Sequence, residues 1–388
     1  MMNTKELDDK YIAHSYGRFD VCLTKGKGSV LYDEGGKKYI DFTSGIGVNS
    51  FGICDEIWRD AVEEQLGKVQ HTSNLYYTEP CAKLAKLLCE KSGMKNVFFS
   101  NSGAEANEGA IKFARKYSFD KYGEGRHNII TLTDSFHGRT ITTLAATGQD
   151  EFHTDFAPFT QGFKYCKAND IDELKKLATD DVCAIMFECI QGEGGVNNLS
   201  VEFINEIAKI AKEKDILIIV DEVQTGNGRT GKFYAYQNYS LSPDIVTTAK
   251  GLGGGLPIGA VLFGEKLSTT VTPGSHGSTF GGNPIVAAGA ISIVERMDEK
   301  FLADVRAKGK YITDYIKSIK GVKDISGMGL MIGILTDKNA SDIAKECLKN
   351  GLLVLTAHKN KVRLLPALNI NYNEIDEGLK ILKEVIEK

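Results

Sequence analysis

The sequence has no basic block and no surplus of positive charge: 47 Lys and Arg stand against 51 Asp and Glu, a formal net charge of -4. That balance argues against nucleic acid as the main partner, since a phosphate backbone is recognised by clustered cations. No apolar run approaches the roughly 18 residues of a membrane span, so no membrane segment is expected. The opening MMNTKELDDK is polar and acidic, so no secretory signal is read there and a cytoplasmic location is expected. Eight cysteines (Cys22, Cys54, Cys81, Cys89, Cys166, Cys183, Cys189 and Cys347) are scattered without a CxxC pair, which fits reduced thiols better than a disulfide framework or zinc site. The seven histidines show no HxxxH spacing, and no metal is expected. Internal repeats and low-complexity tracts are lacking too. What remains, 42% apolar and 25% charged residues over 388 positions, fits a soluble globular enzyme of two or three domains.

The most informative stretch is Ile216 to Leu256. It opens with five apolar residues, Ile216 to Val220, too short for a buried helix and rich in β-branched types, hence a buried strand. Asp221 and Glu222 follow at its carboxyl end, the edge at which open α/β sheets bind ligands, with Val223 and Gln224 beyond. A second β-branched run, Asp244 to Thr248, leads to Lys250, set among small residues before a run of glycines. A desolvated lysine is deprotonated more readily and can form an imine with a carbonyl. An acid such as Asp221 can keep a pyridine nitrogen protonated and make its ring an electron sink. Alone, Asp221 reads as a turn cap and Lys250 as a solvated cation. Together, with Gln224 available for a ring hydroxyl, they describe a pyridoxal phosphate site.

The rest of the chain supplies the surroundings. Val30 to Phe42 reads as a hairpin about an acidic Gly-Gly turn. Asn96 to Ser100 is a buried-strand candidate, and Ser102 with Glu105 three residues on matches a capping box at the start of a helix. Such a turn aims free N–H groups and a positive helix end at an anion, so the cofactor phosphate is assigned to Ser102, Gly103 and Ala104. Ile129 to Thr133 ends in Asp134-Ser135-Phe136-His137-Gly138-Arg139. There Phe136 can stack on a planar ring and Arg139 can grip a carboxylate, although core packing and a surface charge explain them equally. Cys183 to Phe187 precedes Glu188 and the Gln191-Gly192-Glu193-Gly194-Gly195 turn. Strand and helix patterns alternate up to Gly264, the signature of a parallel sheet covered by helices. Beyond Pro284 come helices near Ile285 to Met297 and Leu302 to Ile319, strands around Leu330 to Leu335 and Leu352 to Leu355, and a last helix from Glu374. Arg363 lies among apolar residues there, and a half-buried arginine wants an anion.

The ordered set NSGAEANE, SFHGRT, QGEGG, VDEVQTGNGRTG, TTAKGLGGGLPIGA, HGSTFGGNP and VRLLPAL resembles the class III, ornithine-type pyridoxal phosphate aminotransferases, over nearly the whole chain. The resemblance implies an α/β fold of type I. Its large cofactor-binding domain, residues 51–284, is a mostly parallel sheet covered by helices. A smaller α+β domain is built from residues 1–50 and 285–388. It also implies a homodimer with shared active sites. Lys250 would be the cofactor lysine, Asp221 the partner of the ring nitrogen with Glu222 and Val223 beside it, and Gln224 the contact to the ring hydroxyl. Phe136 would stack on the ring. Thr279 and Ser278 would reach the phosphate and substrate from the partner subunit. Arg139 would hold the carboxylate far from the reacting carbon and Arg363 the one next to it, with Glu193 covering Arg363 when that carboxylate is missing. The expected substrates are N2-acetylornithine and 2-oxoglutarate, with Tyr16 a candidate contact to the acyl group. Ornithine, succinylornithine, succinyldiaminopimelate and 4-aminobutyrate as donors, or an aminomutase on the same fold, stay open. Two positions depart from the family's usual pattern: Cys189 stands where a proline is usual, and Gly52-Ile53-Cys54-Asp55 where a histidine-containing turn is.

Overall fold

The computed structural model describes residues 2–239 and 241–388. Its centre is a seven-stranded sheet in the order Asn96–Ser100, Gly259–Phe263, Ile245–Thr248, Leu217–Asp221, Val182–Phe187, Asn128–Leu132, Phe163–Cys166. Neighbours are parallel except at Gly259–Phe263, which runs against both of its neighbours. The α/β reading with a mostly parallel sheet is therefore correct.

Every residue of Leu217–Asp221 and of Val182–Phe187 is buried, which is why these strands read as unbroken apolar runs rather than alternating ones. Side chains of a strand still alternate between its faces. Leu217 and Ile219 pack with Ala110, Phe113 and Ala114 of the Gly103–Tyr122 helix, whereas Ile218 and Val220 join Phe203 and Ile207 of Val201–Lys214. Both helices start on a serine. Ser102 Oγ accepts from the Glu105 N–H at 3.1 Å, and Ser200 Oγ from the Phe203 N–H at 3.1 Å. The expected reciprocal half of the first capping box differs, because the Glu105 carboxylate accepts from the N–H of Asn101 rather than of Ser102.

The C-terminal part forms an antiparallel sheet in the order Val322–Met328, Met331–Thr336, Lys361–Leu364, Leu355–Thr356. The expected single strand over Leu352 to Leu355 is two: Leu355–Thr356 pairs with Lys361–Leu364, while Leu352–Leu353 pairs in parallel with Lys38–Asp41. The hairpin read over Val30 to Phe42 is present as Val30–Asp33 and Lys38–Asp41. Its edge thus recruits the C-terminal part, through Ile40 N–H to Gly351 O at 2.8 Å and Phe42 N–H to Leu353 O at 3.0 Å. The fully buried ring of Phe42 lies under Gly378 of the Tyr372–Glu387 helix, where a Cβ would come within 2.9 Å of Cε1 and Cε2.

Gly378→Ala tests this junction. Overpacking costs about 1–3 kcal/mol and the helix gains about 1 kcal/mol in propensity, so a net loss of up to about 2 kcal/mol is expected in urea unfolding. A rise in stability of about 1 kcal/mol, the bare propensity gain, would show that Phe42 yields without cost.

Candidate active site

Three adjacent parallel strands end at one level. Phe187 is in register with Val220, and Asp221 with Thr247, so Glu188, Asp221 and Lys250 emerge side by side at the sheet's carboxyl edge. All three line a cavity of about 460 Å³, together with Ser102, Gly103, Ala104, Phe136, Arg139, Glu193, Val223 and Gln224.

Lys250 adopts φ +44°, the left-handed region that a residue with a side chain seldom enters. Such outliers concentrate where geometry serves function. Asn227 Nδ2 holds the strand end, donating to Thr248 Oγ1 at 3.0 Å and to Ala249 O at 3.1 Å. Burial lowers the Lys250 amine below the usual lysine value, against the opposing pull of the Glu193, Asp221 and Glu188 carboxylates. More of it is therefore neutral, hence nucleophilic, than of a surface lysine.

Asp221 is 3% exposed and fully engaged. Its Oδ2 meets Asn107 Nδ2 at 2.8 Å and His137 Nδ1 at 2.8 Å, and its Oδ1 accepts the Val223 N–H at 3.0 Å. An ionised carboxylate only accepts, which puts the proton of that histidine bond on Nδ1. The far nitrogen, Nε2, is buried without a partner among the described residues. Glu188, level with Asp221 in the sheet register, has its Oε1 accepting from Phe136 N–H and its Oε2 from Gly192 N–H, each at 3.0 Å. Burial pushes Glu188 up to about 7, against His137 and with Asp221 adding to the rise.

The expected substrate residue Arg363 does not itself line the cavity; it is 2% exposed and lies behind Glu193 and Gln224, which do. Glu193 covers it with two oxygens, Oε1 to Nη1 at 2.8 Å and Oε2 to Nη2 at 3.1 Å. Burial pushes Glu193 up, but the guanidinium outweighs it and the carboxyl ends below its usual value. Gln224 completes the group, its Oε1 accepting from Arg363 Nη1 at 2.9 Å and its Nε2 donating to Glu193 at 3.1 Å. Arg139 is exposed and has no acidic partner among the described residues. Its guanidinium lies 4.0 Å from the centre of the Phe152 ring and 5.6 Å from that of Phe136.

The remaining expected residues lie elsewhere. Glu222 is fully buried away from the cavity, its carboxylate accepting from Thr225 Oγ1 at 2.6 Å and from the Tyr236 N–H at 2.9 Å. Period-two alternation explains this, because consecutive residues of a strand face opposite ways and only Asp221 can face the cavity. Ser278 and Thr279 line a second cavity with His71, Asn74 and Tyr77; Ser278 Oγ accepts from Asn101 Nδ2 at 3.2 Å. Tyr16 is 74% exposed with its ring against Arg18 and does not line the cavity. Asn107, His137 and Glu188 were not read as site residues. Asn107 lies four positions after Gly103, one helical turn along the same face, and Glu188 occupies the same strand-end position as Asp221.

The cavity suits a flat ring bearing a phosphate and a carbonyl. One end is the N-terminus of a 20-residue helix whose Gly103 and Ala104 N–H groups have no partner among the described residues. A Cβ on Gly103 would stand 2.6 Å from Val223 Cγ1, so only glycine allows that backbone approach. The other walls bring an amine, a carboxylate already oriented by three donors, and an aromatic face.

The aminotransferase class-III family model matches residues 11–386. The chain belongs to this family. Class-III aminotransferases are pyridoxal phosphate enzymes. The chain is 53% identical over 387 residues to the acetylornithine aminotransferase of Haemophilus ducreyi, covering 99% of this chain and 98% of that one. Among solved structures, the N-acetylornithine aminotransferase of Stenotrophomonas maltophilia is 35% identical with a TM-score of 0.85, covering 98% of this chain and 97% of that one. The ornithine aminotransferase of Toxoplasma gondii, described with pyridoxal phosphate at partial occupancy in its active site, is 29% identical with a TM-score of 0.93, covering 99% and 94%.

Glu222 offers a pH test. Burial, the largest cause, pushes it up to about 7, while Thr225 and the Ala235 and Tyr236 amides hold it down. A carboxyl whose folded value exceeds its unfolded one stabilises the fold below the unfolded value, and that contribution is lost as pH rises through the folded value. The unfolding free energy of the wild type should therefore fall relative to Glu222→Gln between about pH 5 and pH 8, measured by urea titration. A difference flat in pH would refute the burial argument.

Proposed function

We propose that this aminotransferase moves the terminal amino group of N2-acetylornithine to 2-oxoglutarate, giving N-acetylglutamate 5-semialdehyde and glutamate, the arginine-biosynthesis step its curated relatives are named for. The observation that carries the reading is the Glu193–Arg363 pair, supported by full-length identity to acetylornithine aminotransferases. 2-Oxoglutarate presents a carboxylate beside its reacting carbon, whereas the terminal amine of N2-acetylornithine does not. A buried guanidinium left unpaired costs several kcal/mol, about the loss on removing one partner of a buried pair. With the amine donor, Glu193 stays on Arg363; with 2-oxoglutarate it gives way to the substrate carboxylate. Arg139, free of acidic partners, takes the distal carboxylate of either substrate, the bidentate role for which arginine is suited.

Pyridoxal phosphate, when bound, supplies a carbonyl carbon that exchanges amino groups and a ring that accepts an electron pair. Gly103 and Ala104, with the Ser102 cap, would hold its phosphate. Phe136 would cover its ring, and Asp221 would keep a proton at its nitrogen, oriented by Asn107 and His137. Lys250 Nζ would anchor it and take or return the proton at the substrate's reacting carbon, the task for which a lowered amine value is useful. Gln224, set here between Glu193 and Arg363, would also reach the ring hydroxyl. Glu222 would support the strand end from below and Val223 fill the space beneath the phosphate loop.

We read residues 51–284 as the cofactor domain, with residues 1–50 and 285–388 forming the smaller one. Ser278 and Thr279 lie on a surface with exposed Tyr76, Tyr77 and Phe280. This supports a homodimer in which that loop completes the partner's cavity; Tyr16 would approach substrate in that assembly. A cytoplasmic location is in keeping with the proposed role, and no described helix is long and apolar enough to cross a membrane.

The decisive measurement is the visible absorbance of the cofactor-loaded protein. N2-Acetylornithine should abolish the band of the bound cofactor and 2-oxoglutarate restore it. A band that answers to free ornithine or 4-aminobutyrate but not to the acetylated donor would replace the substrate assignment. Glu193→Gln should lower the preference between the two substrate types by about tenfold, roughly 1.4 kcal/mol, with cofactor affinity little changed; equal losses for both substrates would count against the exchange.

A further inference from the structure

Glu188 has no part in the scheme above, yet it is one of the few carboxylates at the cavity, 5% exposed and without a cationic side chain bonded to it. Both of its oxygens are used, each on a main-chain N–H, and the two N–H groups belong to different loops. Oε1 holds Phe136 at 3.0 Å, on the loop that also carries His137 and Arg139. Oε2 holds Gly192 at 3.0 Å, the residue just before Glu193.

The two loops meet closely at this point. A Cβ on Gly194 would collide with the Asp134 carbonyl, and Gln191 Nε2 donates to Thr133 O at 2.7 Å. Gly192 is itself pressed against Gln224, and its carbonyl accepts from Arg363 Nη1 at 3.0 Å. One rigid carboxylate therefore fixes, at the same time, the main chain behind the ring-covering aromatic and the main chain behind the carboxylate that covers Arg363. Among the described residues, no other group at the cavity holds both.

We infer that Glu188 is a positioning residue that clips the Phe136 loop to the Glu193 loop, so that the exchange of Glu193 for a substrate carboxylate on Arg363 depends on the loop over the ring face. This rests on the reading of Glu193 as the cover of Arg363. The clip needs two acceptors 120° apart on one planar group. A methionine in its place fills similar space and offers neither N–H an acceptor oxygen.

The test uses the cofactor-loaded full chain and two readouts on Glu188→Met. Backbone hydrogen exchange should quicken at least tenfold in both the 134–139 and the 190–195 segments. The ratio of kcat/KM for N2-acetylornithine to that for 2-oxoglutarate should shift at least threefold in the wild-type background and not at all in the Glu193→Gln background. Loosening of only one segment overturns the clip. So does an unchanged or additive ratio in a protein whose Glu193→Gln single variant does change it. If Glu193→Gln leaves the ratio untouched, the reading of Glu193 fails and exchange alone decides, with joint loosening supporting the clip and separate loosening ending it. Should Glu188→Met not yield folded holoenzyme, Glu188→Asp keeps the charge but reaches only one N–H. It should free one segment and shift the ratio, and no change in either refutes the proposal.

Discussion

The site depends on placing several charges in a largely buried space without letting any of them stand alone. The sheet topology produces the problem, because strands that end at one level bring Glu188, Asp221 and Lys250 together where the low dielectric magnifies every interaction. Each solution is different. Asp221 is held by three donors; Glu188 spends both oxygens on main-chain N–H groups; Lys250 has its amine shifted toward the neutral form by burial. Glu193 and Arg363 neutralise each other. The chemistry available at the cavity follows from those separate compensations. A carboxylate locked by donors can hold a proton elsewhere, and a less basic amine can accept and release one.

Much of this was legible in the sequence because charge interrupts apolar runs so sharply. A strand written in β-branched residues and ended by Asp221, and another ended near Lys250, announce both the sheet and its functional edge. Less legible was anything that depended on a partner distant in the chain. Val322–Met328 carries Lys323, Asp324 and Ser326 and has no apolar alternation. It is a strand because Met331–Thr336 folds back on it. Leu352 to Leu355 looks like one strand, and is divided because Leu352–Leu353 finds Lys38–Asp41 while Leu355–Thr356 finds Lys361–Leu364.

The site divides in the same way. Lys250, Asp221, Gly103 and Phe136 could be found from local pattern, since each has a chemistry tied to its position at a strand end or helix start. His137 and Asn107 act on Asp221 from 84 and 114 residues away in sequence, and no local signal ties them to it. Glu222 shows the reverse error, an acid next to the right one that the two-residue period of a strand turns toward Thr225 and Tyr236. Thr279, Ser278 and Tyr16 lie outside the cavity of a single chain; for the first two the family resemblance implies a place in a partner's cavity, which a single chain cannot display.

On the proposed exchange of Glu193 for a substrate carboxylate, the surroundings of Arg363 would let a buried cation change partners without a large barrier. Its Nη1 is shared among the Glu193 carboxylate, the Gln224 amide oxygen and the Gly192 carbonyl, and its Nε has no acceptor among the described residues. Two of those acceptors are neutral dipoles that stay when Glu193 departs, so the guanidinium is never stripped of all its bonds. The vacant Nε leaves a donor for an incoming carboxylate, and planar arginine presents its donors in the fork that a carboxylate matches. One carboxylate is then exchanged for another of equal charge. The cost of desolvating the cation was met on folding, and what distinguishes the two substrates is only which carboxylate is within reach.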